Sequence, residues 1–479
     1  MKKILLILLP LFMVFGQQAQ AQVSYFDARV SEYGQLEQVL GDKWNSIDSL
    51  VVHGPVNSAD FDMMWKCGFE EKMTVLNLEN AQAEDNKIPY RAFFKSEKQV
   101  QDADLYILGI TRIILPESIQ EICEGAFMNL RNLKYINIPQ SLRILGTSSF
   151  YQCRSLSTDP LIIPEGVTSI PNKCFVYTKN LNKVVLPSTV KEIGRAAFFE
   201  SEVKNINLPE GLEKIGDFAF YACDQLDKVV MPNTVKEIGS DLFVCCWNMK
   251  EIVCTDNITS IPNSFAEQCY SLEKVTLPKN LKKIGDGAFK YTKELKSVDL
   301  PEGLEIIGHS AFEYPGLDSI VLPASVKYLG RLSYNLENVK KVYSHATIPP
   351  VCDGESKGLE YGPFGTSPYN IPVYVPTGTG ELYRRTFGWN HFFLFNDILP
   401  TGIKSVEVDN VFDYKVYGRD GMIVIEHSGV GLSPVSYTAY SADGKVLERG
   451  TITSSHTIQG KKGCLYIVRL GNTVQKIRL

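Results

Sequence analysis

Apolar positions in the middle of this chain recur at an interval of about 23 residues, in the same internal order each time. In LKSVDLPEGLEIIGHSAF they stand at Leu295, Val298 and Leu300, then beyond Pro301 at Leu304, Ile307 and Phe312. The same slots hold Leu181, Val184, Leu186, Val190, Ile193 and Phe198, and again Leu272, Val275, Leu277, Leu281, Ile284 and Phe289. Prolines keep the period at Pro116, Pro139, Pro164, Pro187, Pro209, Pro232, Pro278, Pro301 and Pro323, with Thr255 in the vacant slot. A phenylalanine column answers it from Phe127 through Phe150, Phe175, Phe198, Phe220, Phe243, Phe265, Phe289 and Phe312, with Tyr334 next. The alternation Val298-Asp299-Leu300 predicts a short strand with one buried face. Proline has no N–H to give a ladder, so it ends that strand and turns the chain. The glycines at Gly146, Gly194, Gly216, Gly239, Gly285, Gly308 and Gly330 are expected to adopt backbone conformations that other residues resist. A repeat this short cannot bury its own apolar edge. Coils must therefore stack, and the fold class is a β-rich solenoid with a parallel sheet along one side.

The pattern L-x-x-V-x-L-P-x-x-L-x-x-I-G-x-x-A-F resembles the BspA-like (Treponema pallidum type) leucine-rich repeats of bacterial surface proteins, over about residues 75 to 345. That resemblance implies an adhesive surface protein. Departures are Thr255 for proline, and Pro171, Pro262 and Cys123 for glycine; these read as local turn variants.

Lys2 and Lys3, an apolar run from Ile4 to Phe15 and Ala19-Gln20-Ala21 read as a secretory signal peptide over residues 1–21. The run is too short to span a bilayer. The expected location is the cell surface, outer membrane or extracellular space. Residues 22–100 read as an N-terminal cap of degenerate repeats, with helices at Leu36–Leu40 and Asp60–Cys67 and strands at Leu50–Val52 and Val75–Leu78. Lys95 to Asp104 is polar and reads as a loop. The leucine-rich repeat solenoid follows over 101–345, then its C-terminal cap over 346–400, where Tyr383 and Trp389 cover the last apolar layer or form a sugar-stacking platform. Residues 401–479 alternate short apolar strands with turns, at Met422–Glu426, Tyr437–Tyr440, Val446–Arg449, Leu465–Leu470 and Val474–Arg478, which predicts a small all-β sandwich. The tail's wording, Tyr440-Ser-Ala-Asp-Gly-Lys445 and Gly463-Cys-Leu-Tyr-Ile-Val-Arg469, resembles a type IX secretion sorting domain. That resemblance implies outer-membrane translocation followed by envelope anchoring or release; the other reading is a plain terminal β-domain.

The formal net charge is −5, and removing Lys2 and Lys3 with the leader makes it −7. A nucleic-acid partner wants a basic face, which this balance does not offer. Of the eleven cysteines, Cys153, Cys223 and Cys246 fall three residues after a column phenylalanine and Cys269 one further on. Cys223, Cys246 and Cys269 should stack in adjacent coils about 4.8 Å apart, within reach of a disulfide. Buried small hydrophobic thiols are the alternative. None of the six histidines, His53, His309, His345, His391, His427 and His456, lies at metal-ligand spacing from another. His309 reads as a solvated turn residue. No phosphate-cradling glycine loop and no carboxylate pair stands out. The chain therefore reads as non-enzymatic, with no metal and no cofactor.

What remains is surface. The residue four before each proline should point out from the sheet, and gives Arg112, Tyr135, Lys183, Lys228 and Lys274. The residue two before gives Val185, Val230, Val253 and Thr276. Together they predict a flat, mixed apolar and basic strip for a partner, because repeated apolar side chains facing water mark interaction sites. The expected partner is a protein or glycan on a host or another bacterium. A structural envelope spacer without ligand, and a glycan-binding protein for nutrient capture, are the other readings.

Overall fold

The computed structural model describes residues 24–69, 72–95, 108–353, 362–365, 369–398, 414–419, 422–427, 435–441, 445–452, 455–461, 464–470 and 473–478. The leader, most of the Lys95–Asp104 loop and the 401–413 opening of the tail lie outside them. The chain divides into two compact units, Met1–Ile398 and Leu399–Leu479.

The first unit is a stack of coils, most of which contribute two short parallel strands and a return turn. The coil before Pro301 departs from expectation, since Val298-Asp299-Leu300 forms no strand and Val298 and Leu300 are only half-buried. First strands pair one coil apart: Arg112–Ile114 with Tyr135–Ile136, then Leu161–Ile162, Lys183–Val185 and Asn205–Ile206, then Lys228–Val230, Glu251–Val253 and Lys274–Thr276. Register follows the sequence period, with Val230 opposite Val253 and Val253 opposite Thr276. After each proline turn a second ladder forms, as in Ser169–Ile170, Glu192–Ile193, Lys214–Ile215 and Glu237–Ile238. The turn closes on the proline carbonyl, which accepts from the amide three residues on (Val190 N to Pro187 O, 3.3 Å). Thr255 replaces a proline and instead offers its hydroxyl to the Asn257 amide at 3.2 Å.

The column glycines correct one expectation. None of them occupies left-handed backbone. A Cβ on Gly239 would lie 2.2 Å from the Asp217 amide nitrogen, and one on Gly146 2.3 Å from that of Glu124. These residues are glycine because the preceding coil presses on them. Left-handed backbone falls on non-glycine residues flanking the column, such as Ala196 (φ 54°) and Glu200 (φ 50°) around Phe198.

The phenylalanines form the core. From Phe127 to Phe243 the rings stack face to face, with centroids 5.3 to 5.8 Å apart, and all are buried. Beside them runs a polar ladder. The Sγ–H groups of Cys223, Cys246 and Cys269 donate to the carbonyls of Phe198, Phe220 and Phe243 at 3.1, 3.0 and 3.0 Å. All eleven cysteines are free thiols, so the disulfide alternative for Cys223, Cys246 and Cys269 is set aside.

At the N-terminal end the helix Ser58–Gly68 covers the stack. Asn57 and Asp60 form its capping box, and the buried Asp60 carboxylate also accepts from the amides of Gly34 and Leu36 at 2.8 and 2.9 Å. Phe61 meets Phe93 edge-on at 5.9 Å, and Phe93 starts the column by stacking on Phe127. At the other end Tyr383 and Trp389 are fully buried. Tyr383 donates to the Ala346 carbonyl at 2.7 Å, and Trp389 to the Pro350 carbonyl at 3.4 Å. Their burial removes them as a sugar-stacking platform.

The second unit has two antiparallel sheets. One joins Tyr414–Arg419, Met422–His427 and His456–Gln459; the other joins Val446–Ile452, Val435–Ser441, Leu465–Leu470 and Thr473–Arg478. Ile423, Ile425 and Ile458 of the first share one core with Tyr437, Ala439 and Val468 of the second, as a sandwich requires.

Candidate interaction surface

Alternation along each first strand decides which residues water sees. Val229 is buried while Lys228 and Val230 on either side are exposed, Val230 to 50%. Lys183 and Val185 are likewise exposed around the buried Val184, with Val185 paired to the exposed Ile162. Lys274 and Thr276 are exposed, and Val253 between the coils of Val230 and Thr276 is half-buried. Arg112 lies over the ring of Tyr135, its guanidinium 4.2 Å from the centroid, a cation–π contact that holds both side chains flat on the sheet.

These residues belong to three hydrogen-bonded ladders of one continuous stack of coils. Val230, Val253, Thr276, Lys228 and Lys274 share one three-stranded sheet; Lys183 and Val185 lie in the sheet before it; Arg112 and Tyr135 lie in the N-terminal sheet. The basic row is also less basic than its sequence suggests. Glu251 sits between Lys228 and Lys274, with carboxylate–ammonium distances of 2.6 and 3.1 Å. Hydrogen bonds from both lysines hold its carboxyl below the usual range. The patch around Val230 is therefore an apolar row edged by a basic row that Glu251 only half compensates.

A second, half-buried aromatic row escaped the sequence reading. On the return turns Tyr151, Tyr177, Phe199 and Phe218 line an open groove of about 300 Å³, floored by Val176 and Ala196 and flanked by Lys173 and Arg195. The signal was an aromatic residue within two places of a column phenylalanine: Tyr151 follows Phe150, Tyr177 follows Phe175, Phe199 follows Phe198, and Phe218 precedes Phe220. His309 lies in a turn with its side chain 43% exposed, as a solvated turn residue should, and it also makes a contact between coils. Its Nδ1 accepts from the Arg331 amide at 3.0 Å, continuing a series in which Asn172, Asp217 and Asp286 bind the next coil's amides at 2.8, 2.9 and 2.8 Å. It is a peg between coils.

Among the described residues no group of three His, Cys, Asp or Glu side chains is arranged to hold a metal ion, and no helix is long and apolar enough to cross a membrane. The buried thiols are in the opposite state from a nucleophile, since burial pushes Cys174 and Cys223 up to about 12.

Two ladders of parallel strands, a turn after each proline and one stacked aromatic column define a leucine-rich repeat solenoid. The family model described as BspA type Leucine rich repeat region (6 copies) matches residues 98–160, 157–271 and 259–351, and the chain belongs to that family. Among solved structures, a leucine-rich repeat protein from Bacteroides ovatus shares the fold at 22% identity and a TM-score of 0.51, covering 66% of this chain and 82% of its own. The T. pallidum leucine rich repeat protein matches at 24% identity and a TM-score of 0.28, over 38% of this chain and 77% of its own. The pneumococcal vaccine antigen PcpA matches at 19% identity and a TM-score of 0.36, over 66% and 84%. No curated protein matches the chain.

Proposed function

We propose that this is an exported, non-catalytic binding protein whose exposed first-strand face engages a protein on a host cell or another bacterium. The single observation that carries the reading is the exposure of Ile162, Val185, Val230 and Val321 on the water-facing side of successive sheets. β-branched side chains suit strands, but half-exposed apolar rows gain nothing for the fold and offer a partner area to bury. Membership of the BspA-type family and the leader-like N-terminus support export and surface display. The antiparallel tail fits a sorting module that is removed or anchored after translocation. Presenting the chain to an array of host extracellular proteins tests the binding role, with saturable capture expected and no capture contradicting it. Mass spectrometry of the exported form tests the tail, since retention of Leu479 contradicts cleavage.

A further inference from the structure

The return-turn groove carries chemistry that the strand face lacks. Lys173 and Arg195 belong to adjacent coils joined by a backbone hydrogen bond, Lys173 N to Arg195 O at 2.9 Å, so the two cations sit side by side. Elsewhere on these coils lysines meet acids: Lys179 with Glu200, Lys214 with Glu192 and Lys236 with Glu213, at 3.4, 3.4 and 2.8 Å. Among the described residues Lys173 and Arg195 have no carboxylate partner; the carboxylate at the groove wall, Glu200, is held by the Tyr177 hydroxyl and paired with Lys179 at 3.4 Å. Arg195 lies over the Phe218 ring at 5.4 Å, which keeps its guanidinium at the rim. The aromatic walls are set at angles to one another, Tyr151 to Tyr177 at 84° and Tyr177 to Phe199 at 78°, so faces as well as edges are open to a ligand. Phe199 is braced from behind by Tyr221, stacked at 4.7 Å.

We propose that this groove binds an acidic oligosaccharide through its hexuronate residues. A sugar ring has an apolar C–H face that packs on an aromatic ring, and hydroxyls that stay hydrated in a groove open to water. A uronate adds a carboxylate, for which the uncompensated Lys173 and Arg195 supply charge-assisted hydrogen bonds. A purely apolar ligand would leave both cations unused; a neutral sugar would leave them unpaired. The site is separate from the strand face and adds a second ligand class to the binding role.

The test is calorimetric titration of the full chain with a short oligogalacturonide, a hyaluronan oligosaccharide, a neutral galacto-oligosaccharide and an acidic aromatic peptide. Binding of at least one uronate oligosaccharide is expected, weakened by salt and absent for the neutral sugar. Phe199→Ala, and separately the exposed pair Lys173→Gln with Arg195→Gln, should each weaken it about tenfold or more, which is about 1.4 kcal/mol. Val230→Asp should leave it unchanged, which separates this site from the strand face. The charge pair decides the matter if Phe199→Ala fails to fold. Failure of both uronate oligosaccharides, unchanged affinity in the charge pair, or tighter binding of the peptide than of either glycan would overturn the assignment.

Discussion

The ring of Phe265 stands at 82° to that of Phe243, with centroids 5.4 Å apart, whereas Phe198 and Phe220 lie within 2° of parallel at 5.5 Å. The cause is the order of two residues. Alanine precedes the column phenylalanine in Ala197-Phe198, Ala219-Phe220 and Ala288-Phe289, but here Phe265 precedes Ala266. In regular coils the column amide bonds the carbonyl just before the next column residue, as Phe198 N does to Ala219 O at 2.9 Å. Phe243 N bonds Phe265 O and Ala266 N bonds Ala288 O, at 2.9 and 2.8 Å. Ala266 thus holds the column slot in the backbone, and Phe265 reaches the column from one place earlier. The spacing of Cys269 follows: it lies three residues after Ala266, as Cys246 does after Phe243.

Truncating Phe265 to alanine empties a fully buried site and should cost about 3–5 kcal/mol. The inversion Phe265→Ala with Ala266→Phe returns a ring to the regular slot and should recover most of that loss. Guanidinium denaturation midpoints compare the two. A double variant as unstable as Phe265→Ala would show that this coil has no room for the regular order.

Gly239→Ala places a methyl against the Asp217 backbone, which cannot move without shifting a whole coil. About 1–3 kcal/mol of destabilisation is expected, the range for overpacking. Gly380→Ala is the control, because its nearest neighbour is the Phe395 Cβ at 3.7 Å and it lies in the helix Gly380–Arg385. Equal midpoints for the two variants would refute the close-approach account.

The periodic elements were legible because each slot is repeated along the chain. The proline and phenylalanine columns announced coils, strands and core without any long-range information. What the sequence hid depends on neighbours one coil away. Glycine at 239 looks the same whether its backbone turns or the preceding coil crowds it, and only the Asp217 contact distinguishes these. The strand rows looked continuous, yet pairing lapses between Ile136 and Leu161 and between Ile206 and Lys228, so the strip is carried by three separate ladders. The groove aromatics were missed because Tyr151 and Tyr177 sit at different offsets from their column residues. In the tail, Tyr414–Arg419 and His456–Gln459 were missed as strands because charged and polar residues interrupt their apolar alternation.

The buried thiols make a pH prediction. Cys174 and Cys223 are raised from 9.0 to about 12 by desolvation, so the folded protein keeps them protonated where the unfolded chain ionises. The unfolded state then binds fewer protons, and stability should fall as pH rises from about 9 towards 12, by about 1.4 kcal/mol per unit per thiol at most. Below pH 8 these groups should contribute no slope. Denaturation midpoints across that range check the sign. Without reductant, Ellman's reagent at pH 8 should leave Cys153, Cys223, Cys246 and Cys269 unmodified in the folded protein, and all eleven cysteines should react in guanidinium. Nine or fewer reactive thiols in guanidinium would reveal a disulfide.

The most direct test of the central claim is the affinity of the full chain and of its Val185→Asp, Val230→Asp, Val253→Asp variant for one captured extracellular partner. Three carboxylates on the water-facing side of the strands should leave the circular dichroism spectrum unchanged and weaken binding about a hundredfold or more, as the loss of a buried apolar contact row requires. Wild-type affinity in a folded triple variant would show that partners do not use this face.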